Sequence, residues 1–298
     1  MTVVAALLVP DTALALHRPA LRAGYEAAAQ ALAAAAPDVL LVYSTRWIAV
    51  LDALWQTRAR IAGTHVDEVW HDLGELPHDI AVDLDLARAC IEGSRELGLH
   101  TKGVDYDAFP VDTGTVVATT LLGAVPPLVI TASNIYHDPA MTERLGAMAV
   151  ATAERQGKRA AVIGIGGLTR EFHTAAVEDG ADHVSRPEHD ALNRELLALL
   201  EAGDTSAVRA FLAAIPEHVR VDQHLKHVSW LLGACGGIRG ATVHAYGPDY
   251  GGGAAVVELA PADDGNGAVR AGAPAVWRAA MRRPGRSATA RSWSRPVR

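Results

Sequence analysis

The apolar run that begins at Val39 constrains the fold of this chain more than any other stretch of its sequence. The run continues to Tyr43 and leads directly into Ser-Thr-Arg at 44–46. Such a run is typical of a strand that helices cover on both faces of a sheet. In open α/β sheets, ligands bind at the carboxyl ends of such strands. We therefore predict a buried strand over 39–47 whose polar end faces a site.

The same pattern of an apolar run followed by polar residues recurs along the chain. We predict further strands at 3–9, 127–132, 159–165, 241–246 and 254–259. Apolar residues at helical spacing predict the helices, at 19–36, 82–97, 142–156, 190–201, 205–214 and 219–234. The alternation of the two predicts an α/β fold with a central, mostly parallel or mixed sheet and helices on both faces.

A change in composition divides the chain near Pro261. The last 37 residues, 262–298, contain eight arginines and only two aspartates, so they carry +6 while residues 1–261 carry −13. They are rich in Gly, Ala, Pro and Ser and lack apolar periodicity, which is typical of disordered segments. We predict one domain over 1–261 and a disordered, Arg-rich C-terminal tail over 262–298.

Composition also bears on partners and location. An acidic body is unsuited to nucleic acid, because binding to phosphates requires a basic surface. The sequence has no basic segment before the first apolar run and no apolar stretch long enough to span a bilayer. Cys90 and Cys235 lie far apart in apolar surroundings, as expected for free thiols in a reducing compartment. We expect a cytoplasmic protein that binds neither membrane nor nucleic acid.

Two groups of histidines are candidates for metal binding. His224 and His227 are three residues apart on a predicted helix, a spacing that would let them share a metal. That helix also carries Asp222 and Lys226, which favours a solvated face instead. The segment 63–77 is rich in histidine and acid, but histidines in a polar loop are usually solvated, and its length suits a lid or an interface.

Short motifs at the strand ends resemble the class III extradiol ring-cleaving dioxygenases, the LigB-type family. They are Leu-Val-Pro at 8–10, Val-Tyr-Ser-Thr-x-Trp at 42–47, Asp-x-Gly-Thr at 112–115, Gly-Gly-Leu-Thr at 166–169 and the turn over 246–253. The segments 47–58, 102–110 and 230–234 further resemble the α subunit of 2-aminophenol 1,6-dioxygenases. The resemblance covers nearly all of 3–259 and implies a LigB-like fold.

In catalytic members of that family, the resemblance implies a ferrous ion held by two histidines and a glutamate, with another histidine as acid and base. Asp11 and Arg46 stand at the positions of the two ligand histidines, and Gly247 stands at the position of the glutamate. Arg170 stands at the acid–base histidine. Thr113 replaces the histidine of an Asp-His-Gly-Thr motif.

The chemistry of these side chains argues against an iron site. Iron that activates oxygen beside a bound aromatic needs two neutral imidazoles, a carboxylate and open positions. A guanidinium has no acceptor and keeps its charge, so Arg46 cannot ligate and Arg170 cannot be a general base. We predict that this chain holds no metal or cofactor and that Asp11 forms ion pairs with both arginines.

The function that follows is that of a non-catalytic, structural or regulatory α subunit. It would complete a heteromeric dioxygenase for 2-aminophenol or a catechol-type aromatic by packing, as αβ or α2β2, against a homologous catalytic β subunit that carries Fe(II). We predict that the contact surface lies in 63–77 and the neighbouring segment 47–58, with Trp55, Val69 and Trp70 exposed.

Two alternatives remain open from the sequence. The chain could be an active non-heme Fe(II) extradiol dioxygenase with an atypical metal site, drawn from His17, His65, His71 and His173. It could instead be a stand-alone pseudoenzyme in which Arg46 and Arg170 hold a small carboxylate or phosphate. Metal content separates the first alternative from the α-subunit hypothesis.

Overall fold

The computed structural model describes residues 3–107, 111–175 and 177–262. Contacts divide the chain into two units, 1–267 and 268–298, and the second lies entirely outside the described residues. The tail predicted over 262–298 lies outside them too, apart from Ala262, so its disorder stays a prediction. All the described elements belong to the first unit.

The described part of the chain alternates strands and helices, as its apolar patterns predict. In chain order the elements are β1 (Val3–Val9), α1 (Pro19–Ala35), β2 (Val39–Ala49), β3 (Ala53–Gln56), β4 (Arg60–His65), β5 (Leu76–Ala81), α2 (Leu84–Glu96), β6 (Thr101–Val104), α3 (Thr113–Leu122), β7 (Leu128–Asn134), α4 (Pro139–Arg155), β8 (Ala160–Ile165), α5 (Pro187–Ala202), α6 (Thr205–Ala214), α7 (Lys226–Ala234), β9 (Ile238–Asp249) and β10 (Gly252–Pro261). Proline opens α1, α4 and α5, where its missing N–H would have no helical partner in any case.

Eight strands form one sheet in the order β6-β3-β7-β2-β8-β1-β10-β9, and β4 and β5 form a separate hairpin. β7, β2, β8 and β1 are parallel, so their carboxyl ends meet at one edge. β3 runs antiparallel to β7, and β10 runs antiparallel to β1. The predicted α/β fold with a mixed sheet is confirmed.

Apolar layers cover both faces of this sheet. On one face, α1, α3 and the hairpin pack on the strands, with Tyr25 and Leu40 in the same layer. On the other face, α2 and α4 to α7 form a layer that includes Trp230 and Leu41. Because neighbouring residues of a strand point to opposite faces and both faces are covered, the central strands are continuous apolar runs in the sequence.

The sequence patterns did not predict the hairpin of β4 and β5. Its strands alternate buried and exposed residues only weakly, and Ile61 and Ile80 are their buried members. The stretch between the strands reaches the carboxyl end of β2, because Asp67 lies 3.1 Å from Arg46. Much of the predicted loop 63–77 therefore lies over the predicted site.

The helix predicted over 219–234 is wrong in its first half. α7 begins only at Lys226, and Gln223, His224 and Leu225 have positive φ angles of 45°, 56° and 54°. Asp222 on one side and Lys226 on the other are both buried and bonded to distant parts of the chain. Those long-range bonds override the helical periodicity.

The cysteines behave as predicted. Cys90 and Cys235 are buried free thiols, and burial raises the pKa of each to about 12. Both therefore stay protonated and unreactive. Among the helices of the described residues, none combines the length and the apolar character that crossing a membrane requires.

Candidate functional site at the carboxyl ends of the parallel strands

The carboxyl end of β2 leaves the regular ladder in a bulge. Its pairing with β7 shifts after Ser44, and residues 45–47 have no partner on β7. A bulge of this kind re-aims side chains beside a site. The Ser44 hydroxyl donates to Asp112 at 2.6 Å, and the Thr45 hydroxyl donates to Asp222 at 2.5 Å. The bulge thus binds polar groups from two other parts of the chain.

The ion pairs predicted for Asp11 are confirmed. Asp11 follows β1 and is 0% exposed. Arg46 Nε lies 3.5 Å from its Oδ2, and Arg170 Nη2 donates to the same oxygen. Arg46 Nη2 also lies 3.1 Å from Asp67, and Arg170 Nε lies 3.0 Å from Asp222. We call these residues, together with Asp249, the ion-paired cluster.

The cluster buries more carboxylates than guanidinium groups. Burial raises the pKa of Asp11, and the attraction of Arg170 offsets this only in part. Burial also raises the pKa of Asp249 to about 6, again against the attraction of Arg170. For Asp222, burial acts in the same direction, but Arg170 and other neighbours outweigh it and lower the pKa. Burial therefore favours proton uptake at Asp11 and Asp249, and the neighbouring carboxylates add to this effect while Arg170 opposes it.

The guanidinium of Arg170 is held firmly in its charged form. Burial by itself would lower its pKa, but attraction by Asp11, Asp222 and Asp249 outweighs this and raises the pKa. A group with so high a pKa gives up no proton at neutral pH. Arg170 therefore cannot perform the acid–base role that the matching histidine has in the family resemblance.

The solvated face predicted for 219–234 is also wrong. Asp222, Lys226 and His227 are all buried, and His224 is exposed. Among the described residues, neither ring nitrogen of His227 has a hydrogen-bond partner, and burial lowers its pKa to about 4. A Cβ added to Gly166 would lie 2.7 Å from this ring. The imidazole is thus neutral and packed behind the strand end.

Thr113 and Gly247 occupy different surroundings from each other. Thr113 begins α3 beside the cluster, and its Oγ1 lies 2.6 Å from His65 Nε2. Gly247 lies in β9 and lines a cavity of about 620 Å³ with Asp182 and His183. Two residues later, Asp249 supplies the buried carboxylate that interacts with the cluster. Sequence matching placed Gly247 at the glutamate position and missed Asp249.

The four histidines considered as alternative ligands have separate surroundings. His17 and His71 are exposed. His65 contacts Thr113, and His173 Nε2 lies 3.1 Å from Asp182. Within residues 3–107, 111–175 and 177–262, no group of three His, Cys, Asp or Glu side chains is arranged to hold a metal ion.

Residues 4–257 match the protein family described as the catalytic LigB subunit of aromatic ring-opening dioxygenase. The chain belongs to the LigB family. The match spans all the strands that form the ion-paired cluster. This LigB domain therefore keeps the fold of its family while it carries arginine at two of the positions where the resemblance implies histidine.

Two curated relatives, both from Pseudomonas sp, are similar over most of the LigB domain. The chain is 46% identical over 269 residues to a 2-aminophenol 1,6-dioxygenase alpha subunit. This alignment covers 87% of this chain and 99% of that relative. It is 29% identical over 252 residues to a 2-aminophenol 1,6-dioxygenase beta subunit. This alignment covers 80% of this chain and 83% of that relative. The chain is thus similar to both subunits of one named enzyme.

A solved structure shares the fold of the LigB domain. It is an uncharacterized protein from Escherichia coli K12, matched with a TM-score of 0.64 over 86% of this chain and 99% of that one. The sequence identity is only 15%. The likeness therefore concerns the fold alone.

The ion-paired cluster does not fit the ferrous ion that the family resemblance implies. Arg46 and Arg170 place two positive charges against Asp11, where a dication would need the same carboxylate. Neither guanidinium has a lone pair for a metal. Asp222 already accepts from Thr45 and from the Gly167 N–H at 2.9 Å. The donor set is that of a salt-bridged plug, in which each guanidinium pairs with two carboxylates.

Proposed function

We propose that this chain is the non-catalytic α subunit of a heteromeric extradiol ring-cleaving dioxygenase. The complex would act on 2-aminophenol or a related catechol-type aromatic. Its partner would be a homologous LigB-family β chain that carries Fe(II) and the catalytic histidines. The role of this chain would be to support the structure or the regulation of that partner.

The arginine pair in the ion-paired cluster carries the proposal. Arg46 and Arg170 stand on two strand ends of a fold that otherwise matches the family over residues 4–257. Each guanidinium is paired with two carboxylates and has no lone pair, so it is unsuited to bind a metal. The similarity to a subunit named alpha, over 99% of its length, supports the same role.

The pairing of the arginines also bears on the alternative of a stand-alone anion-binding protein. Arg46 and Arg170 would have to release Asp11 or exchange Asp67 and Asp222 for an external anion. Breaking buried ion pairs costs several kcal/mol, because the carboxylate left behind is uncompensated. The ion-paired cluster therefore favours a structural role over anion binding.

The test is to express this chain and a homologous LigB-family β chain from the same source, singly and together. We expect the two to co-elute and the ring-cleavage rate of the β chain to rise, or its stability to increase, when this chain is present. This chain alone should have no ring-cleavage activity. A β chain that is fully active by itself and never co-elutes with this one would refute the proposal.

A matched control addresses the atypical metal site. In the co-expressed complex, His17→Ala and His173→Ala should leave the ring-cleavage rate unchanged, because those side chains lie outside the ion-paired cluster. An active site built on them would lose its activity in the same variants.

A further inference from the structure

A group of exposed apolar side chains lies where β2 and β7 end. Ile48, Val50 and Leu51 are 51%, 49% and 85% exposed, and Ile135 and Tyr136 are 40% and 76% exposed. The two segments are joined, because the Ile135 N–H donates to the carbonyl of Ala49 at 3.0 Å. We call these five exposed residues the apolar patch. Its residues come from the ends of two strands that are paired with each other.

The backbone beneath the apolar patch is fixed by buried polar groups. The side chain of Asn134 donates to the carbonyl of Asp52 at 3.0 Å and accepts from the N–H of Tyr136 at 2.9 Å. The ammonium of Lys226, which is 2% exposed, donates to the carbonyls of Asn134 and Ile135 at 2.7 and 3.2 Å. The apolar side chains are thus held outward on a rigid support. A surface arranged in advance loses little conformational entropy when a partner binds.

The area of the apolar patch is large for a surface that faces only water. Its five side chains expose on the order of 500 Å², near the upper end for the largest patch of a monomer. Each partner in a standard protein interface contributes roughly 800 Å². The patch would therefore supply more than half of one side of such an interface.

The apolar patch also continues directly from the ion-paired cluster. Arg46 and Ile48 belong to the same strand end, and Arg46 is anchored there by Asp11 and Asp67. The ion pairs thus brace the bulge that presents the patch. The ion pairs of Arg46 therefore have a structural role at the strand end that carries the patch.

We propose that the apolar patch is the docking surface for the catalytic LigB-family β chain, an inference that rests on the proposed function. A related chain is favoured over a second copy of this one because the curated relatives with 46% and 29% identity are named alpha and beta subunits of one enzyme. The patch would supply more than half of this chain's side of such an interface, and the surface around it would supply the rest.

The structure contradicts the exposure predicted for Trp55, one residue of the surface predicted from the sequence. Trp55 is 0% exposed, and its indole donates to Ser94 at 3.0 Å, so it cannot contact a partner. Trp70 packs edge-on against Tyr250, with ring centroids 4.9 Å apart. Of the predicted residues, Val69 is 59% exposed. In the segment 47–58, the exposed apolar side chains are instead those of the patch, Ile48, Val50 and Leu51.

The test is the double variant Leu51→Asp with Tyr136→Asp, co-expressed with the β chain. Two buried, unpaired carboxylates in the interface should weaken binding at least tenfold, measured as a Kd and as co-elution. The melting temperature of this chain by itself should not fall, because both side chains are exposed. The milder variant Leu51→Ala with Tyr136→Ala should weaken binding in the same direction.

Tyr106→Asp and Val69→Asp are the matched controls. Tyr106 is 52% exposed and follows β6. β6 is parallel to β3, and β3 is antiparallel to β7, so the carboxyl end of β6 lies at the opposite end of the strands from the apolar patch. Val69 belongs to the surface predicted from the sequence. Both controls should bind the β chain as the wild type does.

The outcomes separate the location of the surface from the proposed function. If the wild-type chain never binds the β chain, the proposed function fails. If the wild type binds and the Leu51 and Tyr136 variants bind equally well, only the docking surface is refuted. The docking surface is also refuted if these variants abolish a homodimer of this chain but leave β binding unchanged.

Discussion

At the residue scale, Arg46 and Arg170 are both ion-paired with Asp11 and with a second carboxylate. The sequence was sufficient to predict their pairing with Asp11, because charged groups at neighbouring strand ends must be solvated or paired. It was not sufficient to find Asp222, whose partner Thr45 lies 177 residues away. It also missed Asp249, since a residue in a glycine-rich turn carries no local sign that its carboxylate is buried. Contacts over such separations leave no periodicity to detect.

Removal of the Asp11 carboxylate tests the pairing. Asp11→Ala should lower the free energy of unfolding by about 3 kcal/mol, because it leaves two partly buried guanidinium groups short of a partner. Chemical denaturation at neutral pH measures the change. The control is Asp79→Ala, which breaks an exposed pair with Arg60 and should have little effect. Equal effects of the two substitutions would mean that the cluster is open to water.

The pH dependence of stability tests the buried carboxyl of Asp249. Its pKa is about 6 in the folded chain, against an ordinary value of 3.8, so the folded state binds this proton more tightly. Its contribution to stability is therefore present at low pH and is lost as the pH rises from about 4 through 6. Asp249→Asn cannot ionise, and its stability relative to the wild type should grow across that window to about 3 kcal/mol.

Chemical denaturation of the wild type and of Asp249→Asn at a series of pH values gives this difference in stability directly. Asp79→Asn serves as the control, because its bond with Arg60 lowers the pKa of Asp79 and reverses the sign of the effect. A difference between Asp249→Asn and the wild type that stays constant from pH 4 to 7 would show that Asp249 ionises normally.

Two irregular elements shape the site at the next scale. The bulge at 45–47 turns the end of β2 towards the ion-paired cluster, and the left-handed turn at 223–225 precedes α7. The apolar pattern predicted β2 and most other elements, because their burial is periodic. It failed at 219–225 because the backbone there follows the bonds of Asp222 and Lys226 rather than its own propensity.

Glycine at the left-handed turn tests this strain. A left-handed backbone costs a residue with a Cβ roughly 1–2 kcal/mol, and glycine avoids most of that cost. His224 has a φ of 56° and is exposed, so His224→Gly should stabilise the chain by up to about 1 kcal/mol. Thermal or chemical denaturation measures the difference.

Ala198→Gly is the control for this prediction. Ala198 is exposed within the regular helix α5, where glycine should cost about 1 kcal/mol. If His224→Gly destabilises the chain as much as the control does, the turn is not strained.

At the scale of the whole molecule, the class of fold was predictable and the organisation of its surface was not. Continuous apolar runs indicate strands that are covered on both faces, so the central strands of the sheet could be predicted from the sequence. The sequence could not tell that Trp55 lies inside while Leu51 lies outside, because both occur in one mixed segment. We propose that the domain ends at Pro261, where β10 ends.

The ion pairs with Arg46 and Arg170 occupy the Asp11 carboxylate that an iron ion would need. We propose that this chain lacks an iron site of its own. The most direct measurement is the iron content of the purified chain after anaerobic reconstitution with Fe(II) and removal of excess metal. We expect less than about one tenth of an equivalent, because the donor set lacks two imidazoles beside a free carboxylate. One equivalent of bound Fe(II), with turnover of 2-aminophenol or a catechol by this chain alone, would show that the chain has an iron site.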